Sequence, residues 1–283
     1  MNRFVNVVML SNNFCSLRAG IAASYRKRMK RIVISILILS AVSVFNYEAL
    51  PQEGRKIELN AQGILVQVDK IFKYPLGIIR GFIKHIRPDG SSTTISFTGY
   101  VSKADYLFTF SSPERGDQLK VLYNLGGEDI WVYNIHALKL FHKMGIDKYD
   151  DILSTNFSFT DLSNADLQSN YTAAIKGNAF VKGVDAYKLV LNPIARDGIY
   201  GMLTLYVAKD RFIPLRIDFH DRDKAIFKYM TVVKIKENEK RIIPIRYDML
   251  NIRQGTVSIV SFNEFDETAS FDKEIFRSEK LGE

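Results

Sequence analysis

Hydrophobic and polar residues alternate along residues 104–143, which is the pattern of strands that bury one face of a β-sheet. The first two alternating runs cover 106–110 and 119–123, and a third follows at 128–133. The segments between the runs, 112–117 and 125–127, contain the Pro, Gly and Asp residues that favour tight turns. The sequence therefore predicts consecutive antiparallel strands that pair as a meander. The apolar residues that share a face in the first two strands are Tyr106, Phe108, Phe110, Leu119, Val121 and Tyr123.

The same alternation recurs on both sides of this meander. Two strands are predicted before it, at 78–87 and 93–101, and the second carries Ile95, Phe97 and Val101 on one face. Further strands are predicted at 171–177, 187–191, 202–208, 212–220, 225–236, 241–250 and 256–265. Their shared apolar faces include Leu203, Leu205, Val207, Ile213, Leu215, Ile217 and Phe219. The total, roughly eleven or twelve strands, is about twice that of a usual sheet, so we expect the sheet to curl.

One helix is predicted ahead of the strands. Asn60 can cap a helix over 61–73, and Pro75 and Gly77 follow its end. Its apolar residues recur at intervals of three and four, so they form one apolar face that can pack on the sheet as a lid. A second covering element is predicted at 145–167, where alternation stops and Asp, Ser and Asn become frequent. The helix residues predicted to face the sheet are Ile64, Leu65, Val68, Ile71 and Phe72.

The formal charge of +8 is concentrated at the beginning of the chain. Residues 1–47 contain seven Arg and Lys residues and no acidic residue, which leaves a charge of +1 on the rest. The aromatic residues lie at strand spacing rather than among basic residues. This distribution argues against a nucleic-acid-binding face.

The same basic segment begins the pattern of a secretory signal. A cluster of Arg and Lys at 26–31 precedes an apolar run at 32–45 that is short for a membrane-spanning helix. We expect residues 1–49 to be an extension and signal peptide, with Met29 as an alternative start, and 50–283 to be one exported β domain in the periplasm. Cys15, the single cysteine, lies in the removable part. An uncleaved amphipathic anchor is the alternative.

No sequence motif for catalysis or metal binding is found. The four histidines are dispersed, and no Walker, G-x-S-x-G or HExxH pattern occurs. The nearest cluster, Asp218, His220, Asp221 and Asp223, is interpreted as the polar end of a strand rather than a cation site. We therefore expect no enzyme activity, no cofactor and no metal. Carboxylates paired in space remain an open alternative, as does a packed core in place of an apolar cavity.

An ordered set of segments gives the chain a resemblance to the LolA-like, outer-membrane lipoprotein-sorting family of periplasmic carriers. The resemblance covers nearly all of 58–283. It implies a mainly β fold: a strongly curved, incomplete antiparallel β-barrel of about eleven strands, whose concave face is covered by the N-terminal helix and a short lid excursion. The segments that carry it are 61–73, 88–90, 110–116, 129–133, 156–162, 206–216, 243–246 and 271–276.

The resemblance also implies a function, which is to hold lipoprotein acyl chains, or another lipid, during transfer to the outer membrane. It implies an inner-membrane transporter and an outer-membrane acceptor as partners, and we expect a monomer. The family's lid-closing arginine would fall near Lys103, where this chain departs from the pattern. The residues expected to bind lipid are Ile95, Phe97, Val101, Phe108, Phe110, Val121, Tyr123, Trp131, Leu203, Leu205, Val207, Leu215 and Ile217.

Two alternatives share this fold. One is a lipid-responsive regulator similar to the anti-sigma-factor binding protein RseB, which would be expected to carry a further C-terminal partner domain, whereas this chain ends soon after Phe276. The other is a carrier of a glycolipid or hopanoid for a membrane transporter.

Overall fold

A single antiparallel sheet of thirteen strands accounts for most of the described chain, and alternation along the sequence is the cause of its two-sided packing. A computed structural model describes residues 60–114, 116–163, 166–195, 198–237 and 241–283. The strands are β1 (Gly77–Ile86), β2 (Ser92–Val101), β3 (Tyr106–Ser112), β4 (Asp117–Asn124), β5 (Asp129–Asn134), β6 (Lys139–Lys143), β7 (Tyr171–Val181), β8 (Val184–Pro193), β9 (Met202–Ala208), β10 (Pro214–His220), β11 (Ile226–Glu237), β12 (Ile242–Asn251) and β13 (Thr256–Asp266).

The order of the strands divides the sheet into two meanders. The order is β6-β5-β4-β3-β2-β1-β13-β12-β11-β10-β9-β8-β7, so sequence neighbours pair everywhere except between β1 and β13. That junction is a long ladder running from Ile78 opposite Asp266 to Ile86 opposite Val257. The chain therefore travels outward to one edge at β6, crosses to the other edge at β7, and returns to the centre.

Curvature follows from irregularities in the ladders. Bulges interrupt the register in β7, β10, β11, β12 and β13, where an extra residue bends the strand and increases its twist. Gly99 allows a close approach on the concave side, because a Cβ there would lie 2.6 Å from Cε1 of Phe108. The sheet is not closed into a barrel, so the expected incomplete, curved antiparallel β fold is confirmed.

The predicted helix is present as α1 (Ala61–Phe72). Asn60 caps it as expected, since its Oδ1 accepts a hydrogen bond from the Gly63 amide at 2.8 Å. Ile64, Leu65 and Val68 are fully buried against the inner face of the sheet. Within the described residues, no helix combines the length and apolar character needed to cross a bilayer.

The predicted excursion between β6 and β7 also covers the inner face. It contains 3₁₀ turns at Gly145–Tyr149 and Ile152–Ser154, then the short helices α2 (Phe159–Leu162) and α3 (Leu167–Asn170). We refer to α1 and the described parts of 145–170 together as the lid. α1 packs against α3, β7 and β12, which joins the two parts of the lid.

The opposite, outer face of the sheet has a smaller cluster. Leu107 and Leu122, directly paired across β3 and β4, are covered there by Phe276 and Leu281 of the C-terminal segment. Both faces of the β3–β5 region are therefore apolar. The expected boundary at residue 49 and the signal peptide lie outside the described residues.

Candidate functional site

A cavity of about 520 Å³ lies between the lid and the inner face of one half of the sheet. Four neighbouring strands, β9 to β12, supply its floor, and consecutive strands contribute because alternate residues of each point inward. The floor is apolar and aromatic. Its residues are Leu203, Ile217, Phe219, Met230 and Tyr247.

The lid supplies the roof of this cavity. Phe72 and Tyr74, at and just after the end of α1, line one side. Phe157, Leu162 and Leu167 of the excursion line the other. Apolar side chains thus line the space from above and below, and polar lid residues such as Thr160, Ser163 and Asn170 line it as well.

Asn156 fastens the middle of the lid to the ends of β12 and β13. Its Nδ2 donates to the Met249 and Thr256 carbonyls, both at 3.0 Å. Its Oδ1 accepts a hydrogen bond from the Thr256 hydroxyl at 2.7 Å, and its backbone N–H donates to Oγ of Ser258 at 2.9 Å. The side-chain amide is buried and both of its polar atoms have partners, so this point of the lid is fixed.

A buried ion pair fastens α2 to the floor. Lys228 Nζ lies 2.6 Å from Asp161 Oδ2, and the two side chains are only 5% and 3% exposed. Asp161 also accepts from the Tyr200 hydroxyl at 2.7 Å and from the Ser158 amide at 2.8 Å, the latter within a capping box. Burial raises the pKa of the Tyr200 hydroxyl well above its ordinary value. These groups satisfy one another's hydrogen bonds and charges, which explains how a charged pair is tolerated beside an apolar floor.

Asp69 joins the two parts of the lid. Its carboxylate accepts hydrogen bonds from the Leu167 and Gln168 amides, each at 3.0 Å, at the start of α3. Burial raises the pKa of the Asp69 carboxyl to about 6, outweighing the opposite effect of these two amides. Gln62 adds a hydrogen bond from its Nε2 to the Gln168 carbonyl at 2.8 Å. α1 and α3 are therefore connected by polar contacts as well as packing.

Few of the sequence-predicted lipid-binding residues line the cavity. Leu203 and Ile217 do, and so does Phe72 of the predicted lid set. The other inward residues belong to the continuous core beside it, where Phe108 has ring centroids of Phe97 and Phe110 at 5.9 and 5.8 Å. The predicted residues in this packed part are Ile95, Phe97, Val101, Phe108, Phe110, Val121, Tyr123, Leu205 and Val207.

Two predicted residues lie elsewhere. Trp131 is on the outer face, because it pairs with Leu122, whereas the neighbouring Val132 pairs with the inward Val121. Leu215 sits at a bulge between Pro214 and Arg216 and is only partly buried. Among the lid residues, Ile71 is half-buried, and Lys103 is exposed in the turn after β2. Roles in lipid binding or closure remain predictions for all of these residues.

The sequence carried a signal for one feature that we did not predict. Lys228 and Met230 occupy inward positions of β11, and a lysine at a buried strand position requires a carboxylate partner. The partner, Asp161, is 67 residues away, and no local pattern identifies it. Tyr200 and Tyr247 were likewise not predicted to line the site.

The Asp218–Asp223 cluster forms polar contacts within and between strands. Arg216 pairs with Asp218 at 2.5 Å, and His220 Nε2 lies 3.0 Å from the Thr204 hydroxyl. In the part of the chain that the structure describes, no group of three His, Cys, Asp or Glu side chains is placed to hold a metal ion.

Comparisons with known proteins define the relationship of the chain to others. A family model described as "-like: Uncharacterized protein" matches residues 102–283. No curated protein gives a significant sequence match.

Solved structures share the fold at low sequence identity. A DUF1329 family protein from Desulfovibrio piger matches with a TM-score of 0.68 at 20% identity, covering 78% of this chain and 97% of that one. An outer membrane lipoprotein-sorting protein domain from Vibrio parahaemolyticus, described as putative, gives 0.67 at 16%, covering 79% and 98%. A LolA superfamily protein from Nitrosomonas europaea gives 0.66 at 19%, covering 78% and 99%. Because the family model spans more than half of the sequence, the chain belongs to that family, and its fold is LolA-like.

Proposed function

We propose that this protein binds the acyl chain of a lipid in the cavity between the lid and the β9–β12 floor. The observation that carries the proposal is a space of about 520 Å³, partly open to solvent, whose floor is apolar and aromatic and whose lid side also carries polar residues. This volume is within the range of roughly 300–1,000 Å³ typical of small-molecule sites. The buried carboxylate beside the floor, Asp161, is paired with Lys228, which leaves the floor itself to apolar contacts.

Free energy explains why a carrier would need such a space. Exposing a 14-carbon chain to water costs roughly 11 kcal/mol, at about 0.8 kcal/mol for each methylene group. A cavity that covers most of the chain removes most of that cost. The lid supplies cover, and its few polar attachments give a defined set of contacts to break on loading and release.

The more specific proposal is a periplasmic carrier of lipoprotein acyl chains, moving them from an inner-membrane transporter to an outer-membrane acceptor. It draws on the LolA-like fold and on a structural neighbour described as a lipoprotein-sorting domain. The signal-like pattern at 26–45 supports export. We propose binding rather than catalysis, because the buried charged groups beside the floor of the cavity, Asp161 and Lys228, pair with each other.

The proposal is tested by titrating the mature protein, purified from its native envelope, with a fluorescent fatty acid and a fluorescent lipopeptide. Leu203→Trp places a larger side chain in the floor of the cavity and should weaken binding at least about tenfold. The matched control, Leu140→Trp on the exposed edge strand β6, should leave affinity within about twofold of the wild type.

Urea unfolding of both variants identifies any loss of affinity that comes from loss of folding. Absence of binding by the wild type, or equal effects of the two substitutions, contradicts the proposal. Mass spectrometry of lipids that co-purify with the wild type distinguishes lipoprotein from glycolipid or hopanoid cargo.

A further inference from the structure

We infer that the opening of the cavity docks on the surface of a lipid bilayer by inserting exposed aliphatic side chains. This inference rests on the proposed function, since a lipid carrier must receive its cargo from a bilayer or return it to one. Four aliphatic residues at the opening carry it. They are Leu125, Met144, Ile146 and Ile194, with exposed fractions of 68%, 61%, 60% and 59%.

Each of these residues belongs to a segment that lines the cavity. Leu125 itself is part of the lining, in the turn between β4 and β5. Gly145 lines it between Met144 and Ile146, and Pro193 and Ala195 line it on either side of Ile194. The exposed aliphatic side chains therefore border the space proposed for the acyl chain.

Contacts between the three segments place them around one opening. The β5–β6 ladder pairs Ile130 with Lys143, which brings Met144 next to the β4–β5 turn. Lys148 donates a hydrogen bond to the Glu128 carbonyl of the same turn. The rings of Tyr149 and Tyr200 are 5.0 Å apart, which connects the 3₁₀ turn to the segment that leads into β9.

The backbone of Leu125 is also disfavoured. Leu125 has φ of 52°, in the left-handed region where a residue other than glycine is uncommon. Its side chain gains little burial in return. Single exposed apolar residues are common, but four around one opening are typical of a binding surface.

Shape and charge favour a bilayer as the partner. The four side chains come from separate turns rather than from one continuous strand or helix, and a fluid surface accommodates such an arrangement. Lys143 is already paired with Asp150 at 2.7 Å, and Lys148 Nζ donates to the Glu128 carbonyl. Both lysines of the described rim segments 125–128, 143–148 and 193–195 therefore already have partners, so docking depends on apolar insertion rather than on attraction to anionic headgroups.

The test is flotation of the purified mature protein with vesicles of phosphatidylcholine alone, and with vesicles that also contain phosphatidylglycerol. The wild type should bind both, with affinities within about twofold of each other. The double variant Met144→Asn/Ile146→Asn should bind at least about tenfold more weakly, because it removes two inserting side chains. Neither residue is part of the cavity lining, so the variant changes the rim alone.

Leu138→Asn is the matched control. Leu138 is an aliphatic residue that is 74% exposed, like Met144 and Ile146, but it lies at the other end of the β5–β6 hairpin. This variant should bind vesicles as the wild type does. The inference is overturned if the wild type does not float, if it floats only with anionic vesicles, or if both variants lose binding equally.

Acyl binding in solution separates the two proposals. The double variant should keep its affinity for a fluorescent fatty acid within about threefold, because neither Met144 nor Ile146 lines the cavity. Normal acyl binding without flotation of the wild type overturns the docking inference alone and assigns the rim to a protein partner. Absence of acyl binding overturns the proposed function.

Discussion

The buried ion pair beneath the lid gives a quantitative prediction. Lys228→Met removes the charge that pairs with Asp161 but keeps an unbranched side chain near the rings of Tyr200 and Phe219, each 5.0 Å from Nζ. Removing one partner of a buried pair costs about 3–5 kcal/mol of unfolding free energy. We expect about 3 kcal/mol, the lower end of that range, because Ser158 and Tyr200 still donate to the Asp161 carboxylate.

A double variant tests whether the loss comes from an unpaired charge. In Lys228→Met/Asp161→Asn no charge remains at either position, so most of the lost stability should return. Urea unfolding measures all three proteins, and hydrogen exchange at 156–162 reports whether α2 detaches before the sheet unfolds. A loss below about 1 kcal/mol in the single variant, or a double variant less stable than the single, would refute the assignment of a buried, coupled pair.

Two further predictions concern the packed core and the lid. Phe108→Ala should lower the free energy of unfolding, measured in urea, by about 3–5 kcal/mol, because Phe108 lies in the aromatic core. Acyl affinity should stay within about twofold of the wild type, because Phe108 is outside the cavity lining. A loss of affinity in a stable protein would contradict this. The raised pKa of Asp69, about 6 against 3.8 in the unfolded chain, means that its contribution to stability is complete below about pH 4 and is lost as the pH rises through about 6. Asp69→Asn should remove that component of the pH dependence of unfolding, and an unchanged pH profile would show that the carboxyl is not buried.

The alternation of apolar residues was sufficient to locate most of the sheet. A period of two residues determines which side chains share a face, and the inward set from Ile95 to Tyr123 was identified in this way. The edge strand β6 was not predicted as a separate strand. Leu140 and Phe141 are adjacent, and both are exposed, so this strand has no buried face to produce alternation.

The position of the cavity could not be read from the same pattern. An inward residue contacts either another side chain or an open space, depending on where bulges bend the sheet and where the lid rests. Phe108 and Phe219 both occupy inward positions of their strands, yet one is in the closed aromatic core and the other lines the cavity. Trp131 lies on the outer face, and because both faces of β5 are covered, its apolar character does not identify which face it occupies.

The crossing from β6 to β7 has a mechanical consequence. The connection between β6 and β7 joins the two edges of one curved sheet, so its length limits how far the edges can separate. Moving the edges apart to admit a wider ligand would require this connection to extend, and breaking the contacts of Asn156 and Asp161 would allow it to do so. The largest ligand that the sheet can enclose would then be set by the length of one loop, and insertions or deletions in that loop could alter ligand size without any change to the strands.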